Sequence, residues 1–342
     1  MGTSFEGKIV VVAGGAGFIG SQLVRELVDE GAREVHVWDN LLHGTEDNIP
    51  NNKGEEVFFT KIDLLDEEDM RHAFQVVSPD YVFNCIGDTF VPKAYEVPRR
   101  FFRINVEVNL NLLRACRDFG VERYLYVSST EVYGNAIRVP IAEDHRLLPV
   151  NTYAVSKLAA DRLCHTYYLE HGVPVVIARI FNSYGPRSCA PYVIPEIIKQ
   201  LSNDHVIELG NIEAQRDFTY VSDTARGLMA LILSTVPDGE AVNIGSGRAY
   251  SIAEVAMTIG RLMGHNGIEI VLDERRIRKN DIEIFVADSS LLKSFTEWTP
   301  QVSLEEGLMR TIKWFEENGK KWHWESFVEG NLMVDEYDNV PS

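Results

Sequence analysis

Five residues in two short stretches carry side chains that could do chemistry together. Ser129, Thr130 and Glu131 stand in Val127-Ser128-Ser129-Thr130-Glu131-Val132-Tyr133-Gly134, and Tyr153 and Lys157 bound Tyr153-Ala154-Val155-Ser156-Lys157. The first stretch continues the apolar run Tyr124-Leu125-Tyr126-Val127, so it reads as the carboxyl end of a buried strand. In an open α/β sheet, ligands bind just beyond such strand ends. The second stretch opens a helix, and residues four apart share a helix face. Hydroxyl, carboxylate, phenol and ammonium are then aimed at one place. A phenol has a reference pKa of about 10, and a neighbouring ammonium favours the phenolate. On that reading Tyr153 takes a proton from a substrate hydroxyl held by Ser129, while hydride leaves the same carbon. The structural alternative is an ordinary helix with a buried Tyr and a solvated Lys. A Tyr-x-x-x-Lys pair alone favours that alternative, and the start of the chain reverses the balance.

Lys8 to Ala13 reads as a buried strand, followed by Gly14-Gly15-Ala16-Gly17-Phe18-Ile19-Gly20 and a helix over Ser21 to Glu30. The glycines fit both Gly-x-x-Gly-x-x-Gly and Gly-x-Gly-x-x-Gly. They serve a tight turn, close approach of a pyrophosphate to the backbone at Gly14, Gly17, Phe18, Ile19 and Gly20, and close helix packing. The next strand, Glu34 to Trp38, ends in Asp39-Asn40, where an acid bonds the ribose hydroxyls of a dinucleotide. The charge of Asp39 repels a 2′-phosphate, and no Arg or Lys occurs between it and Lys53. The cofactor expected is NAD, not NADP. Further short strands at Val57-Phe58-Phe59 and Tyr81-Val82-Phe83 put Asp63-Leu64 at the adenine edge and Asn84 to Gly87 beside the cofactor. A helix is predicted over Val97–Phe119, with Phe101, Ile104, Val108 and Leu112 along one face, and another over Thr152–Glu170. Alternating strands and helices argue for an α/β fold with a doubly wound parallel sheet.

After the strand Val173 to Arg179 the alternation breaks at Phe181-Asn182-Ser183-Tyr184-Gly185-Pro186-Arg187. Later segments include Gln215-Arg216-Asp217-Phe218, a strand at Ala241 to Ile244, a helix capped by Ser251, and the basic run Arg275 to Lys279. Arg216 and the basic run are candidates to neutralise a diphosphate, and Asn182 could donate to it. The expected division is an NAD-binding Rossmann domain over 1–180 with a returning segment near 236–262. A smaller mixed α/β substrate-binding domain follows over 181–330, then a tail over 331–342.

The chain has 342 residues and a net charge of -18. That balance argues against nucleic acid, whose recognition leans on Lys and Arg, and against an anionic membrane surface. The four cysteines (Cys85, Cys116, Cys164, Cys189) have no close pairs, which suits neither a metal site nor a disulfide framework and fits a reducing cytoplasm. No signal peptide or membrane-spanning run is seen.

In combination, the glycine turn, Asp39, Ser129, Tyr153, Lys157, Arg179-Ile-Phe-Asn-Ser-Tyr-Gly-Pro186 and Gln215-Arg-Asp-Phe218 resemble the extended short-chain dehydrogenase/reductases that act on nucleotide sugars. The resemblance covers residues 8 to about 318. It implies bound NAD, a nucleotide-diphosphate sugar as substrate, and a homodimer built on two long helices. It also implies Ser129, Tyr153 and Lys157 as the oxidising triad. Asn182, Arg187, Arg216 and Arg278, with Asp281 nearby, are implied as the hold on the nucleotide diphosphate. Glu two before the Tyr of Val-Tyr-Gly resembles the 4,6-dehydratases and glucuronate decarboxylases, whereas epimerases usually carry small or apolar residues there. A 4,6-dehydratase oxidises C4, eliminates water across C5 and C6, and returns hydride to C6. Glu131 is then the expected C5 base. Dehydratases of thymidine-linked glucose carry Asp where this chain has Thr130, so the acid acting on the C6 hydroxyl is left open. The sequence leaves UDP-glucuronate decarboxylase, nucleotide-sugar 4-epimerase and a non-catalytic NAD-binding redox sensor as alternatives.

Overall fold

The computed structural model describes residues 4–50, 56–188, 191–278 and 280–319. The first half alternates as its apolar runs require: β1 (Ile9–Ala13), α1 (Phe18–Asp29), β2 (Glu34–Asp39), β3 (Val57–Lys61), α2 (Glu67–Val77) and β4 (Tyr81–Asn84). Short helices α3 (Val91–Ala94) and α4 (Pro98–Phe102) lead through a π-helical turn at Arg103–Glu107 into α5 (Val108–Phe119). Then come β5 (Arg123–Ser129), α6 (Thr152–His171), β6 (Val175–Ile180) and β7 (Asn182–Tyr184). The rest comprises α7 (Val193–Leu201), β8 (Val206–Leu209), β9 (Gln215–Tyr220), α8 (Val221–Leu233), β10 (Ala241–Ile244), β11 (Ala249–Ser251), α9 (Ile252–Leu262), β12 (Glu269–Leu272), β13 (Ile284–Phe285), α10 (Ser290–Phe295) and α11 (Leu304–Asn318).

Seven strands form one parallel sheet in the order β10-β6-β5-β4-β1-β2-β3. Strand order reverses between β1 and β4, the switch point at which such sheets open a crevice for ligands. Alternate residues of each strand feed opposite faces. Val10, Val12, Val35 and Val37 pack with Leu23 and Leu27 of α1 and Leu228 of α8. Val11, Ala13 and Val82 pack with Leu112 of α5 and Ala160 of α6. A separate core joins Ile194 and Ile198 of α7, Val255 and Ile259 of α9, Phe218 and Tyr220 of β9, and Leu308 of α11. This second lobe carries a four-stranded sheet of β11, β9, β13 and β7, and a two-stranded pair of β8 and β12.

Two boundaries differ from the expectation. The single helix over Val97–Phe119 is instead α4, a π turn and α5. The wider turn brings Asn105 inward beside Ile104, and π turns of this kind recur at functional sites. The segment returning to the large sheet is not 236–262 as a whole. β10 pairs with β6 there, but α9 belongs to the second core, and α8 joins the first core ahead of the expected start. The tail over 331–342, Cys189 and Lys279 lie outside the described residues. Among those residues no helix is long and apolar enough to cross a membrane, and no cluster of His, Cys, Asp or Glu is placed to hold a metal.

Candidate active site

Two clefts meet above the carboxyl ends of the strands. The first, about 950 Å³ with its open mouth, is lined by Gly14, Gly17, Phe18, Ile19, Gly20, Asp39, Asn40, Asp63 and Leu64, every residue expected on the dinucleotide apart from Tyr153 and Lys157. Gly14 turns with φ +79°, and a Cβ on Gly20 would lie 2.2 Å from its carbonyl oxygen, so only glycine lets α1 start this close to β1. No side chain caps α1, which leaves its first amides for a phosphate. Asp39 accepts from Ala16 N at 3.0 Å through one oxygen and from Leu41 N at 2.8 Å through the other. Burial pushes this carboxyl up, and the two backbone bonds pull it back. The carboxylate is thereby fixed at the wall of the cleft with lone pairs left for ribose hydroxyls. This cradle fits NAD.

The second cleft, about 1520 Å³ with its mouth, shares Phe18, Ile19, Thr89 and Tyr192 with the first. Thr89 Oγ1 and Tyr192 Oη are hydrogen-bonded at the junction. Next to it stand Ser129, Thr130, Glu131 and Tyr153. Ser129 ends β5 and its hydroxyl accepts from Glu131 N at 3.2 Å, starting a short 3-10 turn over Thr130–Tyr133. That turn aims Thr130 and Glu131 into the cleft. Thr130 Oγ1 is buried without a hydrogen-bond partner among the described residues. Glu131 makes no ion pair there, and its Oε2 accepts from Asn151 Nδ2 at 3.0 Å. Asn151 also caps α6, its Oδ1 accepting from Ala154 N at 2.8 Å. Tyr153 packs edge-on against Phe101 at 6.3 Å.

Lys157 stands one layer back from the clefts. It lines neither cleft. Its ammonium donates to Val127 O at 2.6 Å and sits 4.6 Å from the Tyr126 ring centroid. Burial lowers its pKa from 10.5 to about 8. Burial pushes the Tyr153 phenol up, a hydrogen bond with Ser129 pulls it down, and the charges of Glu131 and Asp88 raise it further. The Lys157 ammonium nevertheless stands next to the first cleft, since a Cβ on Gly87, one of that cleft's lining residues, would lie 3.5 Å from Lys157 Nζ.

Asn182, Arg216, Arg278 and Asp281 also line the second cleft. Arg216 Nη2 donates to Asp281 Oδ1 at 3.1 Å, and the guanidinium carbon lies 5.4 Å from the Phe285 centroid. Asp281 Oδ2 accepts from Asn211 at 3.0 Å, so this carboxylate acts as the brace for Arg216. Asn182 Oδ1 is buried without a partner among the described residues, leaving an acceptor for a donor group of a ligand. Arg187 is a correction: it lines neither cleft. Its backbone takes φ +66°, which turns the guanidinium onto α1, where Nε donates to Ser21 Oγ at 3.1 Å and Nη2 donates to Gln22.

Other residues escaped the sequence reading. Asn105 donates to Asp88 O at 3.1 Å and to Ser156 Oγ at 2.8 Å, and accepts from Asp88 N at 2.9 Å, tying the π turn to the loop after β4 and to α6. The signal was an Asn at helical spacing inside the stripe of Phe101, Val108 and Leu112. Ser188 lines the second cleft with a buried hydroxyl that has no partner among the described residues, and no pattern in the sequence marks it.

The fold and the paired clefts define a class, and the comparisons agree. Residues 11–311 match the family model described as GDP-mannose 4,6 dehydratase. The chain belongs to this family of nucleotide-sugar epimerases, dehydratases and decarboxylases within the extended short-chain dehydrogenase/reductases. It is 34% identical over 330 residues to a UDP-N-acetyl-alpha-D-glucosaminuronate decarboxylase of Bacillus cytotoxicus, covering 91% of this chain and 98% of that one. Its fold matches an epimerase of Methanothermobacter thermautotrophicus with a TM-score of 0.86 at 32% identity, covering 93% and 94% of the two chains. It matches a dTDP-glucose 4,6-dehydratase of Streptomyces venezuelae, solved with NAD bound, with a TM-score of 0.85 at 29% identity, covering 92% and 99%.

Proposed function

We propose that the chain is an NAD-dependent nucleotide-sugar 4,6-dehydratase acting on a hexose or N-acetylhexosamine nucleotide. The observation that carries the reading is the adjacent pair on the wall of the second cleft: the Glu131 carboxylate and the Thr130 hydroxyl, which among the described residues have no ion pair and no hydrogen-bond partner respectively. Elimination of water needs a base for C5 and a group on the departing C6 oxygen. A 4-epimerase needs neither, and a decarboxylase releases carbon dioxide and has no departing hydroxyl for Thr130 to assist.

NAD, when bound, supplies the hydride acceptor for C4 and the hydride donor for C6. Tyr153 takes the C4 hydroxyl proton, and Ser129 holds that oxygen. The resulting C4 carbonyl acidifies the C5 proton, which Glu131 removes. The C6 oxygen, hydrogen-bonded by Thr130, departs as water with the proton that Glu131 collected, and as hydride returns to C6 a solvent-derived proton delivered by Glu131 restores C5. A positioned base contributes about 10²–10⁴-fold. Arg216 braced by Asp281, Asn182 and Arg278 hold the diphosphate, a hold suited to planar, bidentate recognition. Exposed Phe102 on α4 and Val155 on α6 support a homodimer through these helices, tested by the mass in solution.

The test is incubation in D2O with UDP-, GDP- and dTDP-linked hexoses, their N-acetylhexosamines and UDP-glucuronate, read by mass spectrometry and proton NMR. Loss of water with deuterium at C5 is expected. Loss of carbon dioxide, or an isomer with no loss, overturns the dehydratase reading in favour of decarboxylase or epimerase.

A further inference from the structure

Asn151 occupies a position at which one side chain serves two parts of the site. It is the N-cap of α6, the helix that carries Tyr153 and Lys157. Its amide orientation is fixed by its neighbours. Ala154 N–H can only donate, so Oδ1 faces it at 2.8 Å. Nδ2 is then left to donate to Glu131 Oε2 at 3.0 Å. Ser129 Oγ accepts from Glu131 N on the other side. A run of hydrogen bonds therefore connects the end of β5, the carboxylate and the start of α6. With one carboxylate oxygen held by Asn151, the other is left for the cleft.

We infer that Asn151 is a positioning residue for Glu131, fixing the carboxylate that removes the C5 proton against the helix that serves oxidation at C4. The inference rests on the dehydratase reading. Capping alone does not require Asn, since Ser and Asp cap as well. Only Asn combines the acceptor for Ala154 with a donor arm long enough for Glu131. Asn151→Ser keeps the cap and loses the arm. Asn151→Asp keeps the cap and sets a like charge against Glu131, whose charge also acts on Tyr153 and Arg216 and which shares its cleft with Arg276, Arg278 and Asp281.

The experiment compares wild type and both variants, loaded with NAD, on the sugar nucleotide that wild type dehydrates. Reduced cofactor is followed by absorbance, C5 deuterium by NMR, and folding by melting of the NAD-stripped proteins. A misplaced base costs about 10- to 100-fold in elimination. Asn151→Ser is expected to melt like wild type, oxidise C4 at a similar rate, accumulate reduced cofactor during turnover and incorporate deuterium at C5 more slowly. Asn151→Asp is expected to move the acid limb of turnover to higher pH. If oxidation and elimination fall in equal proportion, Asn151 is only a helix cap and the inference is overturned. Unchanged partitioning overturns it too. If wild type eliminates water from no sugar nucleotide, the dehydratase reading falls first, and this inference with it.

Discussion

Lys157→Met should make the NAD-stripped protein more stable at pH 7. The ammonium is buried at the back of the site, and its pKa falls from 10.5 to about 8 through desolvation. At about 1.4 kcal/mol per pKa unit, keeping it charged in the folded state costs on the order of 3 kcal/mol. Methionine retains the apolar stem but gives up the bond to Val127 O, worth about 1.5–3 kcal/mol for a charged donor. The expected net gain is about 1 kcal/mol, or roughly 2 °C in melting temperature for a chain of this size. Its pH dependence is the sharper signature. Below about pH 8 Lys157 is charged in both states, so the full cost is present. Between about 8 and 10.5 the folded protein has released a proton that the unfolded chain keeps, and the cost shrinks as pH rises. Above 10.5 it is gone. Thermal melts of wild type and Lys157→Met from pH 6 to 10.5 should therefore show a gap that closes from about pH 8 upward. A variant that melts below wild type at pH 7, or a gap that does not change with pH, would refute the argument that burial dominates at Lys157.

Four further outcomes follow from the geometry. Glu131→Gln should leave C4 oxidation intact and slow elimination by about 10²–10⁴-fold, read as reduced cofactor that persists with little deuterium at C5. Gly20→Ala places a methyl 2.2 Å from Gly14 O, which should cost about 1–3 kcal/mol and weaken NAD binding, measured by chemical denaturation and calorimetric titration. Asp217 accepts from Ser246 N and Gly247 N at 2.8 Å and from Ala287 N at 3.0 Å. Asp217→Asn cannot accept at both carboxylate positions, so either the half-buried Ser246 N–H or the Gly247 and Ala287 N–H groups lose their acceptor, for a loss of about 1–3 kcal/mol in urea unfolding. Arg216→Lys surrenders the planar contact with Phe285 and the brace from Asp281, and should raise the KM for the nucleotide sugar about tenfold with kcat little changed.

The large sheet was legible because its strands are continuous apolar runs and its first turn needs glycine for steric reasons that show in the sequence itself. Asp39 was legible because a strand end fixes where its carboxylate points. The second lobe was harder, since β7 and β11 have three residues each and pair with β9 residues more than thirty positions away in the chain. Periodicity cannot reveal a single π turn, so Asn105 was hidden within an apolar stripe. Arg187 misled because the motif gives its place in the chain but not the positive φ that points it at α1. Lys157 is placed on the same helix face as Tyr153 by its spacing, yet what its ammonium touches depends on β5 and on a carbonyl that no side-chain pattern encodes. Asn151 reads from sequence as a helix cap and nothing more. Its second role exists only because the turn after Ser129 returns Glu131 to it.

The edge strand β10 enters the large sheet only after the chain has passed through β7, α7, β8, β9 and α8. The two lobes are thus threaded through one another, and no single cut separates them into self-sufficient pieces. Cleavage after β6 would strip the amino-terminal fragment of both the strand that covers β6 and the α8 side chains that pack over Val10, Val12 and Val37. During synthesis the dinucleotide cradle cannot gain its finished support until residue 244 has left the ribosome, by which time β9 and its Arg216 are already outside. The second cleft is finished later still, because Arg278 and the Asp281 that braces Arg216 lie beyond residue 244.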